Sequence, residues 1–505
     1  MAIESNLRDS SLLANPSDTH HVAPDRTPSC SISLPTFDLP RGDKRHYQQQ
    51  FADMYFARLA QLKPAVETVA RDAWASFEIA GEPARRVERV LDVRQGELCW
   101  VVGTIYMEMA LKPNVLEDIG KEHWIAAPPV RARYVDGERD QIMLEDESGR
   151  LRLTGLGLRD TLLVTGVILA VVGTENKDGD FEVLDIVVPD LPRQPSRWEN
   201  EDADDAVRGK KLTQGRRKAG KVAIVSGLGI SGDQPNGMAM DLLMEFLLGE
   251  ATGPEDQRDT ANISRLIIAG NSLAHGSPIP TREDMAAQTV KNRSHKKYGY
   301  DSTTYNAAPT EYLDLWLATL LPSIPITLIP GENDPTSTAL PQPPIHPAMF
   351  PHSRAYMSGP SGPTPRDPGC FASATNPAAF SLDGHLFLGT GGQNLDDIAR
   401  YVSSNDRLEM MEAMLRWRLV APTAPDTLWC YPFQDGDAFV MQECPHLFFV
   451  GNQPQFETAQ VEGPAGQRVR TIAVPRFRDT GEIVVLDLEN LDDIQVMKFE
   501  VLERD

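Results

Sequence analysis

Ile326-Thr327-Leu328-Ile329-Pro330-Gly331-Glu332-Asn333-Asp334 places a short apolar, β-branched run directly before a proline–glycine turn rich in polar side chains. A run that is apolar on successive residues predicts a strand buried on both faces, with the turn at its carboxyl end. Three further segments repeat the pattern. Val222–Val225 runs into Ser226-Gly227-Leu228, Leu266–Ile268 into Gly270-Asn271-Ser272, and Leu447–Val450 into Gly451-Asn452-Gln453-Pro454. The carboxyl ends of buried strands are where α/β folds gather functional loops, so the turns predict one composite site. None of them carries a usable set of metal ligands. The scaffold of a site is therefore expected without its chemistry.

The organisation around these runs is uneven. Residues 1–43 are polar and rich in Ser, Pro and Asp, which predicts a disordered tail. From Lys44 to Ala80, Phe51, Met54, Tyr55, Ala57, Arg58, Leu59 and Leu62 make a helical apolar stripe, with a break or the start of a second helix (Ala65–Ile79) expected at Pro64. Between 97 and 190 the runs Leu98–Met109, Gln141–Leu144, Arg150–Thr154, Leu162–Val172 and Phe181–Val188 predict a small closed barrel of the OB-fold type. Residues 191–221 read as a charged linker: an acidic half from Trp198 to Asp205, then Lys210, Lys211, Arg216, Arg217, Lys218 and Lys221. That basic run reads equally as a nuclear localisation signal or a solvated loop.

From 222 to 505 strands and helices alternate, with helices expected at Met238–Leu248, Thr281–Arg293, Thr310–Leu321 and Asp406–Leu419, the last capped by Ser404 or Asn405. Val469–Val474 and Ile483–Leu488 are expected to be the closing strands, and 358–370 a mobile Pro/Gly insertion. The fold class is thus α+β / α/β: N-terminal helices and an OB-fold β-barrel, then a β-sandwich with flanking helices.

The chain has 505 residues and a net charge of −23, from 49 basic and 72 acidic side chains. Such a surface repels phosphate backbones, which argues against tight nucleic-acid binding by the chain alone. The five cysteines form no C-x-x-C pair, so no zinc ribbon is expected, and their sparse, odd count fits a reducing compartment. Met1–Asp18 lacks a signal-peptide apolar region, and Leu162–Gly173 is too short to span a bilayer, so a soluble intracellular protein is expected. The barrel's strand aromatics are few (Trp100, Tyr106 and Phe181), which favours protein docking over base stacking.

The spacing of the turns resembles the calcineurin-like metallophosphoesterases, a two-layer β-sandwich with flanking helices. Its loops carry D-x-H, G-D-x-x-D, G-N-H-D or G-N-H-E, and G-H-x-H, which hold two divalent metals whose bridging water attacks phosphorus. Cations about 3.5–4 Å apart need bridging negative charge between them. Here the first motif falls on Ser226 and Leu228, the second on Asn271 and Ala274, the third on Glu332, Asn333 and Asp334, and the fourth on Asn452 and Pro454. One or two carboxylates and a few amides replace the acids and imidazoles that transition metals require. The resemblance implies a degenerate site with no catalytic residue, no metal and no cofactor. His275, His346 and His446 read as packed or hydrogen-bonded residues, and Ser226 lacks a G-x-S-x-G elbow.

A barrel ahead of a degenerate phosphoesterase is similar to the B-subunits of replicative DNA polymerases. Gly270-Asn271-Ser272, Pro330–Pro335, Leu340–Pro347, Asn376-Pro377, Gly389–Asn394, Ala421–Leu428 and Gly451-Asn452 narrow the resemblance, over residues 44–505, to the small regulatory subunits of DNA polymerase delta. The resemblance implies a nuclear, non-catalytic scaffold in replication and repair synthesis. Its implied partners are the C-terminal cysteine-rich module of the catalytic subunit of DNA polymerase delta and a third, clamp-linking subunit. The sliding clamp is reached indirectly, DNA only through the complex, and no membrane is involved. Three alternatives stay open: a B-subunit of polymerase alpha or epsilon, an active Mg/Mn-dependent phosphodiesterase or 3′–5′ exonuclease using Glu332 and Asp334, and a single-strand-binding barrel.

Overall fold

The structure, a computed structural model, describes residues 24–40, 50–79, 81–113, 132–137, 139–158, 161–197, 199, 218–231, 237–251, 253–274, 307–357 and 369–500. It opens with a short strand, β1 (Ser31–Ser33), followed by helix α1 (Phe51–Ala73) and a small hairpin of β2 (Glu78–Ile79) and β3 (Glu82–Pro83). Then come β4 (Arg85–Arg86), β5 (Cys99–Glu108), β6 (Gln141–Glu145), β7 (Arg150–Thr154), β8 (Ile168–Glu175) and β9 (Phe181–Val187). These last six form one sheet that closes on itself where β5 also pairs with β8, giving the expected barrel. The β6–β7 turn is fixed by Asp146, whose carboxylate accepts from the backbone of Ser148 and Gly149 and, with its other oxygen, from Val90.

Helix α1 lays Met54, Arg58, Leu59, Leu62, Val66 and Ala70 against this barrel. Neither a break nor the start of a second helix occurs at Pro64: one helix runs through it and ends at Ala73. The proline removes one backbone bond, but the buried stripe continues on the same face beyond it, and that packing outweighs the loss.

The second half is built from β10 (Lys221–Val225), α2 (Gly237–Leu248), α3 (Pro254–Ala261), β11 (Ile263–Ala269), α4 (Ala308–Leu320), β12 (Ile326–Ile329) and β13 (Phe371–Ser373). It continues with β14 (Ala378–Leu382), β15 (His385–Thr390), α5 (Gln393–Tyr401), α6 (Arg407–Trp417), β16 (Leu447–Gln453), β17 (Glu457–Glu462), β18 (Arg468–Pro475), α7 (Phe477–Thr480), β19 (Glu482–Asp487) and β20 (Ile494–Lys498). Two six-stranded sheets result, ordered β13-β12-β11-β10-β19-β20 and β1-β14-β15-β16-β18-β17. Val222 and Ile224 of β10 pack with Phe387, Phe449 and Ile472 of the other sheet, while Ala223 and Val225 face Leu243 and Leu317 on α2 and α4. A strand between another sheet and a helix layer has no polar face, which is why these runs are continuously apolar.

The outer face of the second sheet is covered by α5 and α6, and these helices share one continuous core with α1 and the barrel. Helix α6 is capped by Asp406, whose carboxylate accepts from Glu409 N at 2.9 Å, rather than by Ser404 or Asn405. Ser404 instead accepts from Asp406 N, holding the capping residue.

Two segments expected to be unpacked are not. Within 1–43, β1 pairs antiparallel with β14, Phe37 is buried, and the Arg26 guanidinium donates to the carbonyls of Leu247, Thr260 and Ile263. The first two carbonyls lie at the C-terminal ends of α2 and α3, where backbone acceptors are left without intrahelical donors, and Ile263 opens β11. Within 191–221, Gln194 donates to Pro445 O and Arg468 O, and Arg197 pairs with Glu489. Residue polarity hid both, because the partners lie more than 200 positions away. The basic run from Lys210 to Arg217, the helix expected at Thr281–Arg293 and most of the 358–370 insertion lie outside the described residues. The chain closes with three strands rather than two, since β20 follows β19 by a short turn.

Candidate functional site at the strand ends

The four predicted turns do converge. β10, β11 and β12 are parallel neighbours, so their carboxyl ends share one edge, and β16 reaches the same edge from the other sheet. Gly227 N donates to Gly270 O at 3.0 Å and Gly229 N to Asn271 O at 3.1 Å. Asn333 N donates to Asn271 Oδ1 at 2.9 Å, and Asn452 N donates to Ser226 Oγ at 2.7 Å. The loops sit so close that side chains are excluded at several points. A Cβ on Gly451 would lie 2.0 Å from Ala269 O, and one on Gly331 would lie 2.3 Å from Asn271 N.

Most of the predicted positions have a structural task. Ser226 is fully buried, and its hydroxyl donates to Ala269 O at 2.5 Å while accepting from Asn452 N. Leu228 is part of the core beneath α2 and α4, and Ala274 bonds through its backbone to Ile230. Asn271 and Asn452 both take left-handed backbone conformations, φ 50° and φ 59°, which asparagine tolerates better than most residues. Asn452 Nδ2 donates to Gly391 O at 2.6 Å. Glu332 and Pro454 are exposed at the rim, with Asn333 half-buried beside Glu332.

Asp334 is the one buried carboxylate in the cluster, and its oxygens are turned to the backbone. Oδ2 accepts from Gly331 N at 2.7 Å and Ser272 N at 3.3 Å, and Oδ1 from Leu273 N at 3.0 Å. Burial pushes its pKa up from 3.8 to about 6, against the opposing pull of these backbone donors.

A binuclear metal centre needs bridging anionic oxygen and imidazole, and this donor set does not fit one. Leu228, Ala274 and Pro454 have no side-chain lone pair to give, and Asn271, Ser226 and Asp334 spend theirs on backbone N–H groups. Among the described residues no three His, Cys, Asp or Glu side chains gather as a metal site. His446 Nδ1 accepts from Leu386 N and exposed His346 Nδ1 from Ala348 N, so both are hydrogen-bonded; His275 lies outside the described residues.

Sequence reasoning missed the amide network that braces the loops. Asn376 Nδ2 donates to Gln342 Oε1 at 2.7 Å and to Gln393 Oε1 at 2.9 Å, while Gly391 N donates to Asn376 Oδ1 at 2.9 Å. Gln342 Nε2 in turn reaches Gly331 O. The only sequence signal was an unusual density of Asn, Gln, Gly and Pro in these segments. On the barrel, Trp100 and Phe181 are buried, Trp100 against Trp74, and Arg150 and Lys112 both cover the Tyr106 ring, so none of the three offers an open base-stacking platform.

A closed barrel locked through a shared core to a two-sheet sandwich is the architecture that the resemblance to the accessory B-subunits of polymerases implies. Known proteins agree and narrow the class. Residues 222–458 match the B-subunit family of DNA polymerases alpha and epsilon, and residues 50–186 match the DNA polymerase delta subunit OB-fold domain. The chain is 35% identical over 452 residues to the DNA polymerase delta small subunit of Oryza sativa subsp. japonica, covering 89% of this chain and 93% of the relative. It is 35% identical over 478 residues to the DNA polymerase delta small subunit of Saccharomyces cerevisiae, covering 89% of each, and 32% identical over 452 residues to DNA polymerase delta subunit 2 of Drosophila melanogaster, covering 88% and 92%. The chain belongs to the DNA polymerase delta small-subunit family.

Proposed function

We propose that this protein is a non-catalytic, nuclear scaffold of a DNA polymerase delta assembly, acting in DNA replication and repair synthesis. On this reading it bridges the cysteine-rich C-terminal module of the catalytic subunit and a third subunit that leads to the sliding clamp, and meets DNA only through them. The observation that carries the reading is the occupied strand-end site: its one buried carboxylate, Asp334, is committed to backbone donors. Ser226, Leu228, Asn271, Ala274, Glu332, Asn333, Asn452 and Pro454 stand where a phosphoesterase would keep ligands, and here they serve as loop braces, core or rim. We divide the chain into a helix-plus-barrel part, 44–190, and an inactive phosphoesterase-like part, 222–505. The core shared by α1, the barrel, α5 and α6 supports a preorganised dock, which loses little entropy on binding. A chain of charge −23 favours a basic or cation-bearing partner segment.

Two measurements test this. Mass spectrometry of what co-elutes with the chain from its own cells should find the delta catalytic chain; finding only the alpha or epsilon catalytic chain would overturn the assignment. Calorimetry with Mn²⁺ and a nuclease assay on oligonucleotides should give no two-site binding and no turnover. Turnover abolished by Asp334→Ala would make the protein an enzyme.

A further inference from the structure

A groove of about 500 Å³ opens where α1, the barrel and the sandwich meet. Phe51, Ala52, Tyr55 and Phe56 of α1 form one wall, the β6–β7 turn from Glu145 to Arg150 another, and Ala424-Pro425-Asp426 the third. Phe51 and Phe56 are 46% and 47% exposed, although most large apolar side chains of the described residues are buried. Half-exposed aromatics beside a concave, apolar floor are the usual anchor points of a protein contact.

The rim gives the occupant its sign. Glu145, Asp146, Glu147 and Asp426 line the groove against a single lining arginine, Arg150. Arg150 is held by Glu145 at 2.5 Å and stacks on Tyr106, and Lys112, just outside, is held by Asp426 at 2.7 Å. Both cations are thus paired with lining carboxylates, and exposed Glu147 leaves the mouth negative. The walls are also stiff. Tyr55 donates to Glu145, and Asp426 accepts from Tyr401 at 2.8 Å, so each wall is braced by an element outside it. Such a site rejects phosphate backbones and selects a peptide carrying positive charge next to an apolar anchor.

We propose that this groove is a docking site for a partner-protein segment that inserts one aromatic or long aliphatic side chain between Phe51 and Phe56 and sets Lys or Arg against Glu147. The proposal rests on the scaffold reading and specifies one of its contact points.

The test uses the full chain in its purified assembly with the partner subunits. Phe51→Ala with Phe56→Ala should weaken binding of at least one subunit tenfold or more, and Glu147→Lys, on an exposed side chain, several-fold with a reduced salt dependence. Leu315→Ala, a half-exposed apolar residue on α4, should change nothing. A photoreactive benzoylphenylalanine at position 56 should cross-link to a peptide of another subunit with Lys or Arg close to the linked residue. Unchanged affinity in both groove variants with unchanged melting, or cross-links that land within this chain or on a bound oligonucleotide, would overturn the groove. If the double variant does not fold, Glu147→Lys and the cross-link decide alone. Failure of the unaltered chain to bind any subunit would instead remove the scaffold reading, so the two failures are distinguishable.

Discussion

Arg58 Nε lies 2.5 Å from Asp437 Oδ2, and both side chains are completely shielded from solvent. Arg58 belongs to α1 and Asp437 to the sandwich, so this buried pair crosses the junction. The guanidinium also donates to Pro422 O at 2.6 Å and, more weakly, to Ala421 O and Gly166 O at 3.4 Å. Asp437 in turn accepts from Phe439 N and thereby shapes its own loop. The charge in an apolar stripe is therefore a fastener between the two halves.

Removing one member of a buried pair leaves a bare charge, which costs about 3–5 kcal/mol. Arg58→Met is expected to lower unfolding free energy by about that much in urea titration. Arg58→Met with Asp437→Leu should recover much of the loss, since no charge is then stranded. Equal stability of the single variant and the unaltered protein would remove the fastener from the account.

Gly451 packs against backbone, with a Cβ there meeting Ala269 O at 2.0 Å. Gly451→Ala should destabilise by about 2–3 kcal/mol through forced separation of the two sheets at the site. Gly137, which has open space around its Cβ position, is the control, and Gly137→Ala should stay within about 0.5 kcal/mol. Chemical denaturation of both variants checks the pair.

Asp334 gives a pH signature. Its folded pKa, about 6, lies above the ordinary 3.8, so between these values the folded state holds more protons than the unfolded one. Its contribution therefore falls as pH rises through that window, by on the order of 3 kcal/mol at most. The unfolding free energy of the wild type minus that of Asp334→Asn should decline from pH 4 to pH 6.5. A flat difference would mean the carboxylate is better solvated than its burial implies.

His385 should do the reverse. Burial, with Arg197 and His446 nearby, pushes its pKa from 6.5 down to about 4, and its Nε2 lies 2.9 Å from Leu488 O. The unfolded chain then binds the extra proton, so stability from this group is present above pH 6.5 and lost as pH falls towards 4. His385→Phe should remove that slope, read as the change in melting temperature between pH 7 and pH 5.

Legibility followed range. The barrel strands Arg150–Thr154 and Phe181–Val188 and the four buried runs were readable because period and turn chemistry are local, as in the Asp146 turn. The Pro64 break failed because packing against the barrel is not local. The strap at 24–40 failed for the same reason: Arg26 means nothing until the ends of α2 and α3 are beside it.

The sequence alone determined the strand runs, that Leu228, Ala274 and Pro454 offer no side-chain metal donor, and the net negative charge, since each depends only on residue type and order. It could not say what the remaining polar residues do. Only the tertiary structure decided that Asp334 faces backbone donors, that Asn271 and Asn452 brace neighbouring loops, and that Arg58 closes the junction. The reason is physical: the energy of a polar group depends on its partners and its distance from water, and in this chain those partners come from segments up to several hundred residues away.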